Sequence, residues 1–318
     1  MENYTLSFNK LSQQSVKIAG GKGASLGEMT QAGLPVPAGY VVLARAFDRF
    51  LEETDLNSEV EAQLKKVKHT DINSVDKASN KIRDLINDQT VPKDIAKAVI
   101  ENFNKLAVKW VAVRSSATAE DSKVASWAGE LETFLYVGEK ELVESVKKCW
   151  SSLFTARAIF YRFEKKLTKV PVSVAVVVQQ MVDAIVSGVA FSVHPVTQDK
   201  NQLIIEAGWG LGEAIVSGAV TPDAYVVHKK ENTILDINIS SQAKQMMMAR
   251  RGGSQFKPVP LARRSKQKLT GAQIIALAGI IKKIEQRYGC PQDIEWALAK
   301  GKFYILQSRP ITTLSATF

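Results

Sequence analysis

Apolar residues recur at helical spacing through much of the first half of the chain and at strand spacing through most of the second. The spacing predicts a helix over 22–31, opened by a glycine turn and stopped at Gly33, with Pro35 and Pro37 forbidding continuation. A strand is expected over 40–43. Amphipathic helices are expected over 46–53, 57–68, 75–87 and 93–105, and a buried strand over 110–113 that ends at Arg114. One long helix is predicted over 139–165. Beyond Pro171 come short Val/Ile-rich strands at 173–181, 187–192, 203–206, 224–228 and 234–239, then a helix over 271–288 and a closing hairpin over 293–309. No repeat or low-complexity tract interrupts this order. The expected architecture is α+β in two lobes with a crevice between them, residues 1–181 and residues 182–318, the boundary lying near Met181.

Composition narrows the class. The chain has 318 residues, 45% hydrophobic, 23% charged and 8% aromatic, which excludes a disordered tail, a collagen-like chain and a small disulfide scaffold. Its longest apolar run, around 172–178, is strand-sized and far below the ~20 residues of a membrane helix. No basic stretch followed by an apolar one opens the chain, so no secretory signal is expected. Cys149 and Cys290 lie far apart with no metal spacing, and a reduced, cytoplasmic protein away from membranes is the expectation. The net charge of +10 suits an anionic partner without requiring one. Much of it is local. Between Gln242 and Lys268 there is no acidic residue but eight basic ones: Lys244, Arg250, Arg251, Lys257, Arg263, Arg264, Lys266 and Lys268. With Gly252, Gly253, Pro258 and Pro260 among them, they read as a solvated surface loop.

Several segments carry candidate chemistry. In Ala19-Gly20-Gly21-Lys22-Gly23-Ala24-Ser25-Leu26 the glycines let backbone N–H groups approach an anion at a helix start, and Lys22 adds a full charge. Gly23 stands where a P-loop needs Ser or Thr, so this is not a P-loop, and a tight turn with an exposed lysine is the plain alternative. Arg114-Ser115-Ser116-Ala117 places a guanidinium fork at a buried strand. The small-residue stretch 125–133 that follows reads either as a flap over a ligand or as a surface turn with Trp127 beneath it.

The closing hairpin is the most informative segment. With Lys300-Gly301-Lys302 as a three-residue loop, Glu295 faces Gln307 and Asp293 faces Arg309. One face then carries those four residues and the other carries Ile294, Trp296, Leu298, Tyr304 and Leu306. A two-residue loop is expected to break this sorting. Two carboxylates, an amide and an arginine on one face suit a divalent metal and a phosphate chain, or else a salt-bridged, half-exposed hairpin. Glu206-Ala207-Gly208-Trp209-Gly210-Leu211-Gly212-Glu213 has the wrong glycine spacing for a dinucleotide fingerprint, and its glycines are expected to shape a loop, with Glu206 or Glu213 as a metal or water contact. His69, His194 and His228 show no nucleophile or zinc spacing.

Taken together, Gly20-Gly21-Lys22-Gly23-Ala24-Ser25-Leu26, Arg114-Ser115-Ser116-Ala117, Trp127-Ala128-Gly129-Glu130, Gly210-Leu211-Gly212-Glu213, Gln292-Asp293-Ile294-Glu295-Trp296 and Gln307-Ser308-Arg309-Pro310 resemble the N-terminal nucleotide-binding domain of the phosphoenolpyruvate synthase and pyruvate phosphate dikinase family, which rifampicin phosphotransferase shares. The resemblance runs over essentially the whole chain, in the family's order. It implies an ATP-grasp fold whose two lobes clasp ATP with Mg²⁺ and pass phosphate to a histidine on a separate swivelling domain. Matched by motif, Lys22 and Arg114 bind phosphates, Gly129 and Thr133 belong to the lid, and Gln180 sits by the adenine. Glu295 and Gln307 hold Mg²⁺ and nucleotide with support from Asp293, and Arg309 clamps the phosphates being transferred. No phosphohistidine segment of the Thr-Ser-His-Ala-Ala type occurs in the sequence, so the histidine domain is expected in trans or in a longer protein. Glu130-Leu131 stands where the family commonly has Gln-Gln, and His194 where an acidic residue is usual. The alternatives are the nucleotide domain of a drug phosphotransferase, a non-catalytic ATP-binding regulatory module, and a nucleic-acid binder using the basic loop. The last is unlike this sequence, which lacks a basic motif interleaved with aromatics.

Overall fold

The computed structural model describes residues 3–118, 132–165, 167 and 172–312. The chain divides into two compact units, Met1–Gln31 with Ala38–Met181, and Ala32–Pro37 with Val182–Phe318.

The first unit runs β1 (Thr5–Ser7), α1 (Val16–Gln31), β2 (Gly39–Val42), α2 (Ala44–Glu53), α3 (Leu56–Lys65), α4 (Ile72–Asn87), α5 (Lys93–Leu106), β3 (Val111–Ala117), β4 (Thr133–Val137), α6 (Glu139–Ser151), α7 (Ala156–Glu164) and β5 (Val174–Gln180). Its five strands pair antiparallel in the order β1-β2-β5-β3-β4. Alternation along β3 and β5 sends Val111, Val113, Val174, Val176 and Val178 into one core with Phe47, Phe50, Ile82, Ile86, Trp150 and Phe154 of the helical layer. The Trp150 ring lies 5.1 Å from Phe50 and 5.8 Å from Phe47.

Two expectations are corrected in this unit. The long helix over 139–165 is two helices. Thr155 takes extended backbone, and its hydroxyl accepts from the Ala158 N–H, so a local cap restarts the chain as α7. Arg114 does not end its strand either. Ser115, Ser116 and Ala117 continue pairing with Val176, Ala175 and Val174 of β5. The polar side chains of the two serines are satisfied inside the unit, which is what lets a strand run on through them.

The second unit runs β6 (Val186–Phe191), β7 (Gln202–Trp209), α8 (Glu213–Val216), β8 (Asp223–His228), β9 (Thr233–Asn238), β10 (Lys244–Met248), β11 (Ser254–Pro258), α9 (Leu261–Arg264), α10 (Gly271–Tyr288), β12 (Gln292–Ala299) and β13 (Lys302–Pro310). Six strands pair antiparallel in the order β13-β12-β6-β7-β8-β9. Helix α10 begins in a capping box between Thr270 and Gln273 and ends at Gly289 with φ 66°. It packs along β7, β8, β9 and β12. Its Ile274, Leu277, Ile281 and Ile284 are buried, as are Ile294, Trp296, Leu203, Ile205, Tyr225 and Val227 of the strands. Because β7 is antiparallel to both neighbours, no βαβ unit exists there for a dinucleotide fold.

The basic stretch between Gln242 and Lys268 is not a plain surface loop. It contains the β10–β11 hairpin, tied down by Gln242, whose amide bonds both the N–H (2.8 Å) and the carbonyl (2.9 Å) of Trp209. Nor is Lys268 solvated. Its Nζ is fully buried, 2.6 Å from Asp223 Oδ1 and 2.5 Å from the Ser240 carbonyl, while Asp223 Oδ2 accepts from the Lys268 N–H and the Tyr225 hydroxyl. The missing acid comes from a distant strand. Among the described residues no helix is long and apolar enough to cross a membrane.

Candidate functional site

In the first unit the glycine turn is built by steric exclusion. Gly20 takes φ 68° and ψ 173°, breaking α1 so that a fresh helical turn starts at Gly21. A Cβ at Gly20 would lie 2.2 Å from Ser116 Oγ and 2.3 Å from the Ser116 carbonyl oxygen, so the turn presses directly on β3. The Gly23 N–H donates to Ser116 Oγ across 3.3 Å. Two sequence-predicted elements, the Lys22 turn and the Arg114 strand, are thereby brought together within one unit. Arg114 shares its sheet face with Ser116 by alternation, and Thr133 of β4 lies directly opposite it. Arg114 is buried, Lys22 half-buried and Thr133 exposed. Gln180 ends β5 opposite Val111, with an exposed side chain on the other face of the sheet from Arg114. Gly129 lies outside the described residues.

In the second unit the hairpin reaches its expected pairing by a different route. The loop has two residues, Lys300 and Gly301, with φ 50° and 74°, the left-handed pair of a turn whose twist matches the strands. That alone would shift every later partner by one. Instead the register moves between Trp296↔Ile305 and Glu295↔Gln307, leaving Leu306 as a bulge. Beyond it Glu295 faces Gln307 and Asp293 faces Arg309. The two-residue loop therefore does not spoil the polar face, but it does move Tyr304, which lies opposite Ala297 on that face. Phe303 and Ile305 take the apolar side, and Phe303 packs edge-on to Trp296 at 5.7 Å.

The polar face is the one turned away from α10, since Ser192, opposite the other face, bonds Glu285 of α10 at 3.0 Å. Asp293 Oδ2 accepts from Arg309 Nε at 2.9 Å and Nη2 at 2.6 Å. Burial pushes the Asp293 carboxyl above its ordinary value. Arg309 opposes that shift and Glu295 adds to it. On β7, Glu206 points to the same face: the pairs Ser187↔Gly208 and Ala190↔Ile205 place it opposite Val189, which in turn faces Glu295. Burial, and then the charge of Asp293, raise the Glu206 carboxyl as well. Gln307 is buried and Glu295 half-buried. Among the described residues no group of three or more His, Cys, Asp and Glu could hold a metal unaided. His194 and His228 act as turn caps, each accepting a backbone N–H at Nδ1.

Over residues 16–318 the sequence matches the family model described as pyruvate phosphate dikinase, AMP/ATP-binding domain. The chain belongs to this family. Among relatives of this AMP/ATP-binding domain, the probable phosphoenolpyruvate synthase of Methanothermobacter thermautotrophicus is 46% identical over 99% of this chain and 47% of its own length. The phosphoenolpyruvate synthase of Pyrococcus furiosus is 41% identical over 96% of the chain and 43% of its own length. The rifampicin phosphotransferase of Bacillus subtilis is 37% identical over 99% and 36%. The chain thus spans less than half the length of these relatives.

The sequence singled out Lys22 and Arg114 but gave no role to the serines packed beside them. Ser116 is one: its hydroxyl seats the glycine turn. Ser115 is another, with Oγ 2.9 Å from the Glu132 carbonyl and 2.9 Å from Ser152 Oγ. Their only sequence signal is two small polar residues directly after a strand arginine.

Proposed function

We propose that the chain is the nucleotide-binding part of a phosphoenolpyruvate synthase-type dikinase, its two units the lobes of an ATP-grasp fold, which passes phosphate from MgATP to a histidine on a swivelling domain. The observation that carries this reading is the bulged hairpin, which sets Glu295 against Gln307 and Asp293 against Arg309 on one sheet face. Phosphoryl transfer asks a protein mainly to position the phosphates and neutralise their charge. Lys22, the N–H groups at the broken turn of α1, and Arg114 with Thr133 bind and orient phosphate oxygens. Arg309, aimed by Asp293, clamps the group in transfer. Glu295 and Gln307 are hard oxygen donors on adjacent strands and would hold Mg²⁺. Bound there, the ion supplies charge neutralisation. Gln180 and Gly129 are assigned to the adenine end and the lid by motif alone. No base is needed on this chain, because the accepting imidazole brings its own lone pair.

Calorimetric titration with ATP and Mg²⁺ should give a single site per chain that Lys22→Ala and Arg309→Ala each weaken. Two independent sites, or indifference to either change, would overturn the reading. Glu295→Gln should raise the Mg²⁺ concentration needed for half-saturation by about tenfold. Radiolabelled ATP supplied with a separately expressed histidine domain from a longer relative should label that domain. A rifampicin phosphotransferase role is the second reading, favoured by rifampicin phosphotransferases at 37% identity. Offering this chain histidine domains from a phosphoenolpyruvate synthase and from a rifampicin phosphotransferase in parallel separates the two, the domain labelled faster marking the role.

A further inference from the structure

The main chain at Glu132 is gripped from three sides. Its carbonyl accepts the Ser115 N–H at 3.2 Å and lies 2.9 Å from Ser115 Oγ and 4.0 Å from Cys149 Sγ. Ser115 Oγ in turn lies 2.9 Å from Ser152 Oγ, which donates to the Cys149 carbonyl at 2.7 Å. The Glu132 carboxylate takes Arg83 Nη2 of α4 at 2.7 Å. The next residue is Thr133, the cross-strand partner of Arg114.

Stability alone is a weak reason for this arrangement. The Arg83 and Glu132 side chains are 31% and 32% exposed, a setting in which an ion pair contributes little. Arg83 Nε is also buried with no acceptor among the described residues, a cost that a purely structural arginine need not carry. What the contacts do accomplish is geometric. They fix the chain one residue before Thr133 by both its carbonyl and its carboxylate, from α4 and β3 together, and so keep Thr133 level with Arg114.

We propose that Arg83 and Ser115 are positioning residues for the phosphate-binding edge: through Glu132 they hold Thr133 beside Arg114, so that hydroxyl and guanidinium meet the phosphate chain already arranged. Neither touches the nucleotide. The inference rests on the nucleotide-binding reading above, and it adds a layer of residues behind the phosphate contacts. Preorganisation of this kind acts on the ligand groups that meet the positioned pair and leaves the remainder of the ligand unaffected.

The test measures affinity for ATP and for adenosine side by side in Arg83→Met, Ser115→Ala and wild type, with thermal unfolding of each. ATP affinity should fall by about tenfold in both variants while adenosine affinity and the unfolding midpoint stay close to wild type. Arg83→Lys should recover most of the loss, as should Arg83→Glu combined with Glu132→Arg. Equal losses for ATP and adenosine, or ATP affinity unchanged in both variants, would overturn the proposal while leaving the nucleotide reading intact. A wild-type chain with no affinity for ATP would overturn both. Should Ser115→Ala unfold, the Arg83 series decides alone, since that pair is part-exposed.

Discussion

The two units assemble their polar sites in opposite ways. In the first the glycine turn is held by shape: a glycine that admits no Cβ, pressed on Ser116, with Arg114 beside it buried in a strand. In the second they are held by charge: Asp293 against Arg309 on the hairpin, and the fully buried Asp223–Lys268 pair bracing β8 to the start of α10. Shape is unforgiving of added atoms but indifferent to pH. Charge tolerates small changes of volume but not the loss of a partner or of a proton.

That contrast orders the expected outcomes. Arg309→Ala, removing the cation assigned to the migrating phosphoryl group, should lower transfer to a histidine domain by about a thousandfold with the fold intact; near-normal turnover would remove Arg309 from its role. Asp223→Ala leaves a lysine buried without its counter-ion and should cost the second unit about 3–5 kcal/mol in denaturant unfolding. A loss below about 1 kcal/mol would mean that Lys268 escapes to solvent, and that charge does not brace this unit. Gly20→Ala should cost about 3 kcal/mol, from the clash with Ser116 together with the positive φ. Adding Ser116→Gly should restore only part of it, because the backbone carbonyl at 2.3 Å remains. Full rescue would show that the hydroxyl alone excludes a side chain.

The smallest effect is one of pH. Burial raises the Glu206 carboxyl in the folded chain, so through the window above the ordinary carboxylate range the folded state holds more protons than the unfolded one. Stability should therefore fall as pH rises through that window. Glu206→Gln, which has no proton to lose, should gain on wild type at neutral pH and lose the advantage below the carboxylate range. A gain that persists in acid would place its origin in packing. No comparable trend is expected of the Gly20–Ser116 contact, which carries no titrating group.

Much of this was legible in the residue pattern, because it is local. The helical periodicities of α2 to α5, the glycine opening of the α1 turn and the cap of α10 are settled by backbone preferences within a few residues. Alternation likewise groups Asp293 with Glu295 and Gln307 with Arg309, but the two pairs share one face only through the bulge at Leu306. Other features needed the folded chain. Whether the hairpin closes in two residues with a bulge or in three without one cannot be read from the four polar positions, which both satisfy; the folded chain takes the first, with Lys300 and Gly301 at positive φ. The break between α6 and α7 is local too, a cap at Thr155 that helical periodicity by itself overlooks. Ser116 meets Gly23 across 93 residues and Lys268 meets Asp223 across 45, distances over which periodicity carries no information. The sequence by itself determined most of the helices and strands and singled out the candidate polar residues. The tertiary structure alone decided which of them touch, because partners are chosen by strand order and burial, and both belong to the whole unit.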